Sequence, residues 1–166
     1  QNKWPSILWA GRLIEWKHPD ASILLAERLR AMGCYFDLDI IGNGDMQEEL
    51  KAMIQEKGLN DCVHLLGAMS PERVRVHMER ADIFLFTSDF NEGWGAVLNE
   101  SMNSGCAVVA SHAIGSVPFL IQDERNGLIY ESGNIGKLVA KVENLIREPV
   151  FRQELGREAY QSITEV

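Results

Sequence analysis

The sequence predicts an α/β fold: a Rossmann-like, doubly wound parallel sheet of about six strands flanked by helices. Short apolar runs alternate along the chain with segments that carry apolar residues at helical spacing. Several of the runs are continuously apolar, as strands covered on both faces must be. Helices on both faces of a parallel sheet are the simplest way to connect such elements.

The strands are identified by apolar runs and the helices by spacing and by end signals. Strands are predicted over residues 6–13, 35–42, 62–67, 82–88, 106–111 and 127–131. Helices are predicted over residues 19–33, 45–58, 70–81 and 134–149, from near Trp94 to near Gly105, and through the tail.

Residues at the ends of three helices support these boundaries. The first helix opens with Pro19 and Asp20 and stops at Gly33. The second has Asp45 as its cap, with Glu48 three residues on and Gly58 as its terminator. The third begins at Ser70-Pro71, a typical helix start.

Length, charge and cysteine content narrow the class of protein. The 166 residues suggest one domain of ordinary soluble composition, and the net charge of −8 argues against a nucleic-acid or anionic-membrane partner. Cys34, Cys62 and Cys106 are far apart and each borders an apolar run, as buried, reduced, structural thiols would. No signal peptide and no apolar run of roughly 18 residues is visible. These features predict a cytoplasmic location.

The stretch "FNEGWGAVLNE" holds the most informative candidates. Parallel sheets bind ligands beyond the carboxyl ends of their strands, and this stretch follows the fourth strand. Gly93 and Gly95 let the backbone approach a ligand, and a helix starting near Trp94 would offer free amides to an anion. Glu92 and Glu100 would then accept hydrogen bonds from hydroxyls on either side of a diphosphate, as in a nucleotide sugar. The alternative is a helix cap and a solvated glutamate, although the helix is expected to have few exposed positions.

Cations and glycines after other strands complete the predicted site. Arg12 and Lys17 follow the first strand and could neutralise a diphosphate, or could be solvated surface charges. Gly67 to Met69 could offer backbone amides to a base, or could be only a strand end. Residues 42–44, Gly-Asn-Gly, are interpreted as a turn. No metal-ligand spacing and no Ser-His-Asp order is visible.

Taken together, these residues resemble the C-terminal, donor-binding half of a retaining GT-B glycosyltransferase of the family 4 type (glycosyl transferases group 1). The pieces that carry the resemblance are "GRLIEWKHPD", "IIGNGDMQEEL", "VHLLGAMSPERV", "ADIFLFTSDFNEGWGAVLNESMNSGCAVVAS" and "GSVPFLIQDERNGLIY". The family's two glutamates, separated by seven residues, fall on Glu92 and Glu100.

The resemblance implies roles for these positions. The family's first glutamate, here Glu92, lies beside the donor sugar at the reacting face, and the second, Glu100, binds the ribose. Arg12 and Lys17 correspond to the cations that bind the diphosphate. The base would lie near Gly67 and Met69, and the turn of Gly93, Trp94 and Gly95 would hold phosphate and sugar. No cofactor and no metal is implied, and Glu92 is the catalytic candidate.

The resemblance also implies a larger parent enzyme. The expected parent is a hexosyltransferase-like enzyme that uses a UDP- or GDP-sugar donor and an acceptor sugar, lipid or protein. Residues 1–166 would be its C-terminal domain, with the acceptor-binding N-terminal domain absent and the isolated fragment inactive. The full-length protein would be cytoplasmic or peripheral at the inner membrane face.

One departure from the family and three rival functions stay open. Phe119 stands where the family often has glutamate, which puts any contact of that loop in doubt. A non-catalytic nucleotide-binding or regulatory module and a sugar-nucleotide epimerase share this architecture. A Rossmann dehydrogenase ranks lower, because "WAGRLIEW" lacks the full glycine fingerprint.

Overall fold

A computed structural model describes residues 4–164, in which a parallel six-stranded sheet is covered by helices on both faces. The strand order is β3-β2-β1-β4-β5-β6, and every adjacent pair is parallel. The six strands are β1 (Ser6–Ala10), β2 (Asp37–Ile41), β3 (Val63–Gly67), β4 (Ile83–Phe86), β5 (Ala107–Ser111) and β6 (Leu128–Tyr130). The predicted fold class is therefore confirmed.

Seven α-helices and two short 3₁₀ turns connect the strands within residues 4–164. The helices are α1 (Pro19–Ala31), α2 (Gln47–Glu56), α3 (Pro71–Arg80), α4 (Val97–Asn103), α5 (Val117–Leu120), α6 (Ile135–Arg147) and α7 (Pro149–Thr164). The 3₁₀ turns cover Glu15–Lys17 and Phe90–Glu92. Neither these turns nor α5 was predicted, because three or four residues carry no periodic signal.

Alternate residues of the central strands pack into two separate hydrophobic cores, one on each face of the sheet. Ile7 and Trp9 of β1 pack with residues of α1, α2 and α6, whereas Leu8 packs on the opposite face with residues of α3 and α4. This alternation follows from the two-residue repeat of a strand. Because both faces are buried, the strands must be continuously apolar, which is the pattern that predicted them.

The predicted cap residue is correct at the start of α3 and wrong at the start of α2. Ser70 caps α3, and its side chain accepts a hydrogen bond from the Arg73 amide. The prediction that Asp45 caps the second helix is wrong. The amides at the start of α2 are instead satisfied by backbone carbonyls, since Met46 donates to Leu13 and Gln47 to Gly44.

Two further sequence expectations concern cysteines and membranes. All three cysteines are free and buried, as predicted. Across residues 4–164 no helix is both long enough and apolar enough to cross a bilayer.

Candidate functional site

A cavity of about 310 Å³ lies beyond the carboxyl ends of β1, β2 and β3. Loops after these three strands form most of its wall, and α3 and α4 each add one valine. The lining residues are Ala10, Gly11, Arg12, Ile41, Gly42, Asn43, Ala68, Met69, Val74 and Val97. The sheet reverses its strand order between β1 and β4, so this edge is where such folds bind ligands.

Backbone contacts between the loops build the floor of the cavity. The Gly11 amide donates to Ile41 at 3.0 Å, and the Gly42 amide donates to Gly67 at 2.9 Å. Gly42 has a φ of 142°, and a β-carbon there would collide with the Gly11 carbonyl oxygen. A glycine is therefore required at this position, which gives the Gly-Asn-Gly turn a structural reason.

Arg12 supplies a free positive charge at the edge of the cavity. Its side chain is exposed, and within residues 4–164 its guanidinium has no carboxylate partner. Arginine presents a planar fork of donors that suits phosphate oxygens. The predicted cation after β1 is thus placed where an anionic ligand could reach it.

Lys17 and Glu92 form an ion pair at the switch point between β1 and β4. Lys17 Nζ lies 2.6 Å from Glu92 Oε1, and Ser88 Oγ donates to the same oxygen at 2.7 Å. Both side chains are largely covered, with 16% and 13% exposed, and the Lys17 ammonium also lies 4.7 Å from the Trp16 ring centroid. From the sequence, Lys17 was expected to bind the diphosphate and Glu92 the sugar hydroxyls, and their direct contact was not predicted.

The turn after Glu92 corrects the predicted start of the helix. Helix α4 begins at Val97 rather than near Trp94, because Gly93 and Gly95 have φ values of 73° and 77°. These left-handed conformations cannot continue a right-handed helix. Within the described chain, the amides of residues 93–96 donate no hydrogen bond. The free amides that the sequence analysis attributed to a helix tip are those of this glycine turn.

The loop after β5 braces the glycine turn. Gly115 donates to the Gly93 carbonyl at 2.7 Å and Ser116 donates to the Trp94 carbonyl at 2.9 Å. Phe119, at the position where the family often has glutamate, stacks on Trp94 with ring centroids 5.6 Å apart. The two rings are 76% and 54% exposed, so they form an apolar surface beside the turn.

Glu100 is exposed, contrary to the expectation that its helix has few exposed positions. Helix α4 buries Leu98, Ser101 and Met102 and presents Glu100 to solvent. Glu100 lies three residues after Val97, which lines the cavity, so both occupy one face of α4. Although α4 packs against α3, α7 and β5, it leaves the Glu100 side exposed, and apolar neighbours in sequence did not reveal this.

The predicted residues fall into three groups in the structure. Arg12 and Met69 line the cavity, and Gly67 directly precedes its lining residue Ala68 in the chain. Lys17 and Glu92 form the ion pair. Gly93, Trp94 and Gly95 make the turn that leads from the pair to Val97 and Glu100. Neither Ser88 nor Asn43 received a role at the site from the sequence, although Ser88 ends the predicted strand 82–88 and Asn43 directly follows the predicted strand 35–42.

Comparison with known proteins decides the family. The family model for glycosyl transferases group 1 matches residues 1–162. The chain belongs to the glycosyl transferases group 1 family. The resemblance stated from the sequence motifs is therefore confirmed.

Relatives of this group 1 glycosyltransferase domain include AmsK, an amylovoran biosynthesis glycosyltransferase of Erwinia amylovora. It is 34% identical over 139 residues, which cover 81% of this chain and 34% of the relative. The chain spans about a third of the length of the curated relatives it matches.

Two solved structures share the fold of this group 1 domain. A mutant form of TarM of S. aureus, in complex with fondaparinux, α-GlcNAc-glycerol and UDP, has a TM-score of 0.89 and 25% identity. The match covers 98% of this chain and 32% of TarM. The C-terminal domain of LpcC, a glycosyl transferase group 1 family protein of Francisella tularensis, has a TM-score of 0.88 and 24% identity. That match covers 97% of this chain and 85% of the LpcC domain.

Proposed function

We propose that the chain binds a nucleoside diphosphate sugar and is the C-terminal donor domain of a glycosyltransferase. The observation that carries the proposal is the uncompensated Arg12 guanidinium at a cavity that Val97 also lines, directly after the free amides of residues 93–96 in the chain. A cation and unpaired backbone donors near one cavity suit a diphosphate. Family membership and the UDP complex of TarM support the nucleotide.

The donor would extend from the cavity to the ion pair. The base would contact Gly67, Ala68 and Met69, and the ribose hydroxyls would bond to Glu100. Arg12 and the amides of Gly93 to Ala96 would hold the diphosphate. The sugar would then lie next to Glu92, whose second carboxylate oxygen is not used by Lys17 or Ser88.

Lys17 would bridge the two halves of this arrangement. An ammonium has three donors, and Glu92 takes one of them. The remaining donors can bind a phosphate oxygen while the pair stays in place, so Glu92 remains fixed near the sugar. Arg12, Lys17 and the turn amides would stabilise the negative charge that develops on the leaving diphosphate. In this proposal these groups need no metal.

The remaining parts of the proposal concern the whole protein. We infer transfer of a hexose with retention, to an acceptor sugar, lipid or protein bound by an N-terminal domain outside this chain. The isolated chain would bind donor and transfer nothing, because acceptor positioning and water exclusion need the second half of the cleft. The full protein would work in the cytoplasm or at the inner membrane face, without nucleic acid.

Calorimetric titration of the chain with UDP, GDP and ADP tests the proposal. One of the three should bind, and Arg12→Gln should weaken it by about tenfold or more, because a charge-assisted hydrogen bond contributes roughly 1.5–3 kcal/mol. Arg125→Gln is the matched control, since Arg125 precedes β6 at the opposite edge of the sheet. A folded sample that binds none of them at millimolar concentration would refute the proposal.

A second titration separates a transferase domain from a non-catalytic nucleotide module. UDP-glucose and UDP-GlcNAc, or the matching sugars of the base that binds, are compared with the free diphosphate. Glu92→Gln should weaken the binding of the sugar nucleotide more than the binding of the free diphosphate, because only the sugar reaches Glu92. Equal weakening, or none, favours the module. Product analysis of the full-length protein distinguishes transfer from epimerisation and retention from inversion.

A further inference from the structure

The 3₁₀ turn that carries Lys17 ends in an unfavourable backbone conformation, which contacts from outside the turn must stabilise. Glu15–Lys17 forms a single 3₁₀ turn, and His18 ends it with a φ of 52°. A non-glycine residue in this left-handed region is uncommon and costs free energy. The turn is also short and lies at the surface between β1 and α1, so its own hydrogen bonds cannot fix where Lys17 points.

Thr87 fixes the turn from the end of β4. Its hydroxyl oxygen lies 2.7 Å from the Lys17 carbonyl and 3.0 Å from the His18 carbonyl, so the hydroxyl donates to the turn at the residue that bears the ammonium. Thr87 is only 2% exposed. The indole N–H of Trp9, also buried, donates to the same oxygen at 2.8 Å. The hydroxyl therefore both accepts and donates, which restricts its orientation toward the turn.

Asp89 adds two further contacts from the same segment. Its amide donates to the Trp16 carbonyl at 3.0 Å, and its carboxylate lies 3.0 Å from His18 Nε2. Burial raises the pKa of Asp89, but hydrogen bonds from Asn91 and His18 outweigh it and leave the pKa below its ordinary value. The segment that leads from β4 to Glu92 thus holds the turn at three consecutive residues, Trp16 to His18.

We propose that Thr87 is a positioning residue that sets the Lys17 ammonium against Glu92 and the donor diphosphate. This inference rests on the proposed function, in which Lys17 binds a phosphate oxygen. Trp9, Thr87 and the Lys17 carbonyl form one hydrogen-bonded chain that links β1, β4 and the turn. Because Glu92 follows Thr87 by five residues on the same segment, one element positions both partners of the ion pair.

A double-mutant cycle with nucleotide affinity as the readout tests the proposal. Thr87→Val keeps the shape of the side chain and removes the hydroxyl, whereas Thr87→Ser keeps the hydroxyl. Each is made in the wild-type chain and in Lys17→Gln, and each is titrated with the tightest-binding of UDP, GDP and ADP. Chemical unfolding of every variant reports stability separately from affinity.

Thr87→Val should weaken the diphosphate about three- to tenfold in the wild-type chain and less than about twofold in Lys17→Gln, as expected for coupled residues. Thr87→Ser should retain most of the wild-type affinity, because it keeps the hydroxyl. If Thr87→Val does not fold, Thr87→Cys keeps a weak donor and should give an intermediate loss. An equal loss in both backgrounds, or no loss in a folded variant, overturns the positioning role. A wild-type chain that binds no diphosphate refutes the proposed function instead.

Discussion

The glycine turn allows a test in which two nearby positions share a positive φ and differ in their surroundings. Gly95 and Gly93 have φ values of 77° and 73°. A β-carbon on Gly95 would lie 2.6 Å from Ile114 Cγ2 and 3.1 Å from the Phe86 ring. A β-carbon on Gly93 would meet nothing within 4 Å. Only Gly95→Ala therefore adds crowding to the cost of the backbone conformation.

The structure predicts the magnitude for each substitution. Gly93→Ala should lower the free energy of unfolding by about 1–3 kcal/mol, the cost of holding a residue with a β-carbon at a φ of 73° and a ψ of −134°. Gly95→Ala combines the cost of a positive φ, about 1–2 kcal/mol, with overpacking against two buried, stiff side chains, about 1–3 kcal/mol. The total for Gly95→Ala is about 2–5 kcal/mol.

Urea unfolding of both variants measures these values directly. For a chain of this size each kcal/mol lowers the midpoint of thermal unfolding by roughly 2–4 °C, so losses of this size are easily measured. Gly93→Ala should keep nucleotide affinity better than Gly95→Ala, which must displace the turn. A loss of less than about 2 kcal/mol for Gly95→Ala would refute the packing argument for Gly95.

Three other predictions test the helix starts, the thiols and the cavity floor. Ser70→Ala should lower the free energy of unfolding by about 1 kcal/mol, measured in urea, and Asp45→Ala should leave it nearly unchanged. Of these two residues only Ser70 makes a cap bond. The reverse order would contradict the assigned helix starts. Burial raises the pKa of Cys106 to about 12, so the native chain at pH 8 should not react with a thiol reagent there until it unfolds. The unfolded thiol ionises first, so stability should fall as pH rises above roughly 8.5, and a Cys106→Ala variant that loses equally would contradict this. Gly42→Ala should destabilise by about 3 kcal/mol or more, since its β-carbon collides with the carbonyl of Gly11, and a well-folded variant with unchanged stability would contradict that packing.

The fold was predictable because it depends on patterns that the sequence displays directly. Strands buried on both faces must be apolar throughout, and the helices between them carry apolar residues at helical spacing. The helix starts were predicted less well, because a cap residue competes with backbone carbonyls from other loops. The carbonyls of Leu13 and Gly44 accept hydrogen bonds from the amides that Asp45 was predicted to cap, and no local sequence pattern reveals this.

The sequence indicates the candidate site residues and not the contacts between them. Lys17 and Glu92 are 75 positions apart, and they meet because β1 and β4 are neighbours at the switch in strand order. Their separate roles were inferred from residue type, which does not show that one carboxylate oxygen already binds the ammonium. Thr87 gave no signal at all, since a buried threonine at a strand end is ordinary until its hydroxyl partners are known.

A crystal structure of the chain soaked with the nucleoside diphosphate that binds best tests the proposed donor site most directly. Density for the base should lie in the cavity beside Met69, with the diphosphate between Arg12 and the amides of residues 93–96. The Lys17–Glu92 pair should remain, with the ammonium also contacting a phosphate oxygen. Nucleotide bound at another surface, with the Arg12 guanidinium still facing solvent, would rule out the proposed donor site.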